Sequence, residues 1–152
     1  MKKLILLLLF IPLVSFGQTF DYNDLKDINS EKQFKRFAFE KEFVKTKESS
    51  YSLVYAQNYN KEKNKAEVWS HYYLETGLFY FQLGKTYDGS SDESFDRVLE
   101  QVKKKCTFYD FKENSLNLEF ICYTCPGSAF PGKIGFARGA KNNYIETFTN
   151  FN

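Results

Sequence analysis

Histidine is almost absent from this chain: His71 is the single one. That removes most nucleophilic triads and histidine-based metal clusters, which set an imidazole against further reacting or ligating groups. Ser70 is its neighbour, and adjacent strand residues point to opposite faces, so the two cannot form a dyad. The chain also lacks a glycine-rich phosphate cradle and a paired-carboxylate motif. After residue 17 no stretch approaches the roughly 20 apolar residues a membrane helix needs, and none is low-complexity.

A basic surplus is missing as well. The chain carries 21 Lys+Arg against 19 Asp+Glu. Lys2 and Lys3 belong to a leader whose removal leaves 19 of each and no net charge. Nucleic-acid binders usually show a basic excess or stripe. Lys103-Lys104-Lys105 is the only basic run, and it falls in the last turn of an expected helix, where cations are favoured. Nucleic acid is therefore not an expected partner.

The leader itself is well marked. Lys2 and Lys3 precede an apolar run from Leu4 to Val14, and Ser15-Phe16-Gly17 places small residues where a signal peptidase reads. The expectation is a cleaved signal over residues 1–17, with Gln18 first in the mature chain. No cysteine stands at the cut, so a lipid anchor is not expected, and the product is expected to be exported, periplasmic or secreted, and off the membrane. Residues 18–152 suit one domain. Its 17 Phe and 11 Tyr in the whole chain can supply a core without a metal.

Gln18 to Asn29 has no period and reads as a partly ordered lead-in. Ser30 and Gln33 form a capping-box pair, and Phe34, Phe37, Ala38 and Val44 follow at helical spacing, predicting a helix over 31–45. Strands are expected over 51–57, 66–73 and 78–83. Phe95, Val98, Leu99, Val102 and Cys106 then make one apolar stripe, a second helix with N-cap candidates at Ser90, Ser91 and Asp92. Four strands follow, over 107–111, 116–123, 133–138 and 144–149. In the second of these, Leu116, Leu118, Phe120 and Cys122 look like the face that meets a helix.

The expected fold is α+β: two helices on one face of a mainly antiparallel sheet, in the order α-βββ-α-ββββ. The halves suggest a degenerate tandem repeat, because residues 66–81 and 133–148 share a strand–turn–strand rhythm. At the level of element order alone, this resembles secreted inhibitor domains that offer a sheet to an enzyme. Fold does not decide function.

Three cysteines are present: Cys106, Cys122 and Cys125. Outside the cytoplasm a disulfide with one thiol left over is the default. Placing Phe111 opposite Leu116 or Leu118 puts Cys106 on one face with Cys125 and leaves Cys122 on the other. Cys106–Cys125 is therefore the expected bond, with Cys106–Cys122 second. Two sharper chemistries compete with it. Cys122-Tyr123-Thr124-Cys125 has dithiol spacing, but a strand precedes it and Pro126-Gly127 follows, so no helix N-terminus lowers a thiol pKa. Zinc on the three cysteines and His71 competes with oxidation. The expectation is no metal and no cofactor, with catalysis uncertain.

Asp88 to Asp92 has oxygen donors at alternate positions like a calcium loop, but Leu99 stands where the bidentate glutamate belongs. The turn-rich loop over 126–132 carries Phe130, a candidate contact residue. The broadest hint is aromatic. Tyr55, Tyr59, Tyr72, Tyr80, Tyr123 and Tyr144, with Trp69, lie on or beside expected strands. With helices on one face, some of these must decorate the other. Tyr80, Tyr123, Tyr72, Trp69 and Phe130 are the candidate binding residues, for a protein or carbohydrate partner. The competing view is that aromatics simply form good strands.

Overall fold

The computed structural model describes residues 19–85 and 93–149. The expected signal segment and the calcium-like turn with its N-cap candidates lie outside the described residues. Among the described residues three helices, α1 (Tyr22–Leu25), α2 (Glu31–Glu40) and α3 (Glu93–Lys105), accompany eight strands. The first four are β1 (Val44–Glu48), β2 (Ser52–Gln57), β3 (Val68–Tyr73) and β4 (Phe79–Gly84). The second four are β5 (Thr107–Glu113), β6 (Glu119–Thr124), β7 (Lys133–Arg138) and β8 (Asn142–Phe148). They form one sheet, ordered β1-β2-β3-β4-β8-β7-β6-β5, with every pairing antiparallel. Each half has a long helix followed by four strands, α1 being an additional short helix in the first, and the two fourth strands meet at the centre. The fold is the expected α+β arrangement with one more strand and one more short helix.

That extra strand arises where the first helix stops early. α2 starts as its sequence dictates, with the Gln33 N–H donating to the Ser30 hydroxyl at 3.4 Å. It then ends at Glu40. Glu42 turns into the left-handed region at φ 58°, its N–H donates to the Phe39 carbonyl, and the Phe43 N–H donates to the Ala38 carbonyl at 2.8 Å. This is the Schellman stop that glycine usually makes. Phe43 is buried behind it, and Val44 begins β1 rather than continuing the apolar stripe.

The lead-in is also more ordered than its aperiodic sequence suggests. Asp21 caps α1, accepting from the Asn23 and Asp24 N–H groups, while the Asp24 carboxylate accepts from the Asp21 N–H. Phe20, Tyr22, Leu25 and Ile28 are buried. Phe20 sits between the helices, 5.6 Å from the Phe37 ring and 5.0 Å from Phe81, and its N–H donates to the Ser94 hydroxyl at 3.1 Å. Fully burying such a side chain contributes on the order of 1.5–3 kcal/mol.

The main core lies between helices and sheet. Phe34 of α2 stacks on Tyr72 at 4.9 Å and meets Tyr55 edge-on at 5.8 Å. Phe95, Val98, Leu99 and Val102 of α3 are buried as their stripe requires, with Phe95 edge-on to Phe136 at 5.9 Å. A disulfide joins Cys106, just past α3, to Cys125, just past β6. The bond is the expected one, although the register is not. Phe111 faces Ile121, and an irregularity at Tyr109 shifts the ladder by one so that Thr107 faces Thr124. That shift puts Cys106 opposite Cys125. The face of β6 that meets the helices is also the reverse of the expected one: Tyr123 joins the main core, whereas Phe120 and Cys122 point away from it.

Candidate functional site

Strand parity now separates the two faces. Val68, Ser70 and Tyr72 of β3 and Phe79, Phe81 and Leu83 of β4 turn to the helices. Trp69, His71, Tyr73, Tyr80 and Gln82 therefore turn to the helix-free face, as do Tyr144, Glu146 and Phe148 of β8, since residues two apart share a side. The register aligns them in a row across the sheet, Lys47–Val54–His71–Tyr80–Glu146–Gly135–Cys122–Asp110.

One half of this face is roofed. Phe120, Cys122, Ala137 and Phe148 form a second buried cluster, with Leu118 and Tyr144 packed against it. Phe148 lies over Gly135, where a Cβ would come within 2.8 Å of its ring, and meets Phe120 edge-on at 5.3 Å. The Lys112 ammonium covers the Phe148 ring at 4.8 Å, and that of Lys133 covers Tyr109 at 4.0 Å. On the other half Trp69, His71, Tyr80 and Tyr144 are half-buried and Tyr73 is exposed among the described residues. There Tyr80 stacks beside Tyr144 at 5.9 Å, and His71 meets Tyr80 edge-on at 5.7 Å.

The candidate residues from sequence divide accordingly. Trp69 and Tyr80 are half-buried on the helix-free face. Tyr72 and Tyr123 are 2 % and 8 % exposed in the main core, because their positions in the alternation face the helices. Phe130, 3 % exposed, packs edge-on against Phe79 at 5.7 Å. Its loop is drawn onto the helical side, with the Ala129 N–H donating to the Lys26 carbonyl at 2.6 Å. These three have no access to a partner on the open face. Tyr73, Tyr144 and Glu146 replace them.

Compared with family models, curated proteins and solved structures, the chain matches none.

The chemistry of the face therefore rests on its own residues. Beside the tyrosines, Trp69 and His71 border a groove of about 450 Å³ with Thr46, Lys47, Ser49, Ser52, Val54, Tyr59 and Asn64. Tyr59 meets Trp69 edge-on at 5.6 Å, and its hydroxyl donates to the Asn64 side-chain carbonyl at 3.1 Å. Burial pushes the Glu146 carboxyl above its ordinary range, and the Lys112 charge only partly draws it back. Burial likewise lowers the His71 pKa, favouring the neutral imidazole. It raises the Tyr80 and Tyr73 hydroxyls, with Glu146 adding to both shifts.

The thiol and metal alternatives find little here. Cys125 is bonded to Cys106, and Cys122 lies in the opposite cluster, buried, with its thiol pushed up to about 11. Reactive thiols need the opposite shift. Among the described residues, no group of three or more His, Cys, Asp or Glu could hold a metal.

Sequence reasoning missed a second apolar surface. Phe108, Phe111 and Ile121 are exposed on the helical side at the β5 edge, beside a cleft of about 280 Å³ lined by Leu99, Lys103 and Arg138 among others. A polar cleft of about 260 Å³ between α1 and α2 brings together Asp24, Arg36 and Glu40. Of its charges, Asp24 pairs with Lys41 at 2.8 Å and Arg36 with Glu40 at 2.7 Å.

Proposed function

We propose that this protein is a non-enzymatic binding or accessory module of the cell envelope or exterior, exported through residues 1–17. It engages a protein or carbohydrate partner with the helix-free face. The observation that carries the reading is the contiguous set Trp69, His71, Tyr73, Tyr80 and Tyr144 on the open half, adjoining the groove. Aromatic side chains supply large contact areas at low entropic cost and retain a polar tip, which suits recognition. Here they rest on ladders paired on both sides, so the surface is rigid before a partner arrives. The disulfide is compatible with an oxidising compartment, and no described helix is long and apolar enough to cross a membrane.

The test is retention of a specific partner from envelope and culture fractions of the host. Tyr80→Ala and Tyr144→Ala should weaken retention, while Phe111→Ala, on the other side of the sheet, should not. Equal retention by the two tyrosine variants and the parent chain would overturn the reading.

A further inference from the structure

Glu146 occupies an unusual place on this face. Across the ladder its neighbours are Tyr80 and Gly135, and along its own strand they are Tyr144 and Phe148. Directly opposite strand partners stand about 4.5–5.5 Å apart at Cβ, and same-face residues along a strand are only slightly farther apart. Because Gly135 has no side chain, Phe148 fills that side. The carboxylate thus stands among three aromatic rings. Among the described residues no hydrogen bond or ion pair reaches it.

Other charged and titratable groups on this face come from several strands. Lys112 of β5 holds its ammonium over Phe148, and Lys133 of β7 holds its own over Tyr109. Asp110 lies at one end of the row and Lys47 at the other, each at least three strands away. Cys122 of β6 is a buried thiol, and His71 and Tyr73 of β3 and Tyr80 of β4 are neutral at physiological pH. A half-buried carboxylate without a direct partner is an electrostatic cost carried by the free protein. Tyrosine faces are negative at their centres and attract cations.

We propose that the ligand of this face is cationic: a lysine or arginine side chain of a partner protein, its charged end seated beside Glu146 and against the rings of Tyr80 and Tyr144. The inference rests on the helix-free face being the binding surface. An incoming ammonium or guanidinium reduces the cost that the Lys112 charge leaves on the carboxylate and gains π contact at once. At this point of the face an anion meets repulsion from Glu146. A neutral sugar gains stacking but leaves the carboxylate offset only in part, by the Lys112 charge. The aromatic surface continues past this point to Tyr73 and Trp69, farther than one small amine covers, which suits a side chain projecting from a folded partner.

The test titrates the full exported chain with capped hexalysine, capped hexaglutamate and cellohexaose at low ionic strength, by calorimetry and by chemical-shift mapping. Hexalysine should bind saturably, shift Tyr80 and Tyr144, and weaken about tenfold or more in Glu146→Gln. Glu100→Gln, on the helical layer, should change its affinity less than about twofold. Glu146→Gln keeps the side-chain shape, and a thermal melt checks that it folds. If it melts early, mapping of tetramethylammonium shifts on the parent chain decides: shifts centred on Tyr80 and Tyr144 support the inference, and their absence overturns it. Absent hexalysine binding, equal binding by Glu146→Gln, or equal binding of hexaglutamate also overturns it. Cellohexaose binding that is lost in Tyr80→Ala but kept in Glu146→Gln would sink the cationic ligand while leaving the face intact. Partner retention unaffected by Tyr80→Ala and Tyr144→Ala would remove both.

Discussion

Breaking the Cys106–Cys125 bond should cost the protein a calculable share of its stability. The bond spans 19 residues and ties the end of α3 to the end of β6. In the chain-entropy model, closing a loop of that length removes on the order of 11 cal/mol/K from the unfolded chain, or about 3 kcal/mol at 25 °C. Cys125 is buried, so its replacement should leave no polar group behind, which makes Cys106→Ala with Cys125→Ala the appropriate pair. For a domain of this size, about 3 kcal/mol lowers Tm by on the order of 10–15 °C. Urea unfolding followed by circular dichroism measures the loss, and the reduced parent chain should match the double variant. Thiol counting under denaturing conditions should find one free thiol, Cys122. A loss below about 1 kcal/mol would refute the loop-closure account. It would imply an unfolded chain that already keeps the two segments together.

Three further outcomes follow from burial, charge and backbone geometry. The Glu146 carboxyl has a folded pKa above its ordinary value of 4.5, so the unfolded chain gives up its proton first as pH rises. Stability therefore falls as pH climbs through the folded pKa, and Glu146→Gln should be more stable than the parent at pH 7, with the difference vanishing below the ordinary value in melts across pH. Gly132→Ala should destabilise by more than about 2 kcal/mol, because φ is +79° and the new Cβ would lie 1.8 Å from the Phe148 carbonyl oxygen; an unchanged urea midpoint would contradict this. Tyr72→Ala, which empties the stack on Phe34, should cost about 3–5 kcal/mol. Tyr80→Ala on the open face should cost less than about 1.5 kcal/mol, and a reversed order in denaturant titration would invert the assignment of faces.

Much of the fold was legible because its periods are strong. The stripe from Phe95 to Val102 gave α3, and the β7 limits, Lys133–Arg138, agree with the expected strand. What escaped had local physical causes. α2 is stopped by a left-handed glutamate, Glu42, in a place glycine usually takes, so the first two residues of β1, Val44 and Lys45, fall inside the expected helix. α1 is too short to show a period and is held by Asp21 and by burial of its neighbours.

The site was only half legible, for a related reason. Alternation says which residues share a face but not which face the helices cover. In β6 both sides are apolar, since Phe120 and Cys122 serve the second cluster while Tyr123 serves the first. Tyr72, Tyr123 and Phe130 were consequently grouped with Trp69 and Tyr80, although only the last two face outward. Glu146 carried no local signal. Its position among rings emerges from the β4–β8 pairing, between strands more than 50 residues apart in sequence.

Hydroxyl-radical footprinting read by mass spectrometry, on the exported chain alone and with its retained partner, tests the central claim most directly. Trp69, Tyr73, Tyr80 and Tyr144 should be labelled in the free protein and protected in the complex, while Tyr72, Tyr123 and Phe130 stay unlabelled in both. Protection confined to the helices or the β5 edge, with those four still labelled, would contradict the account.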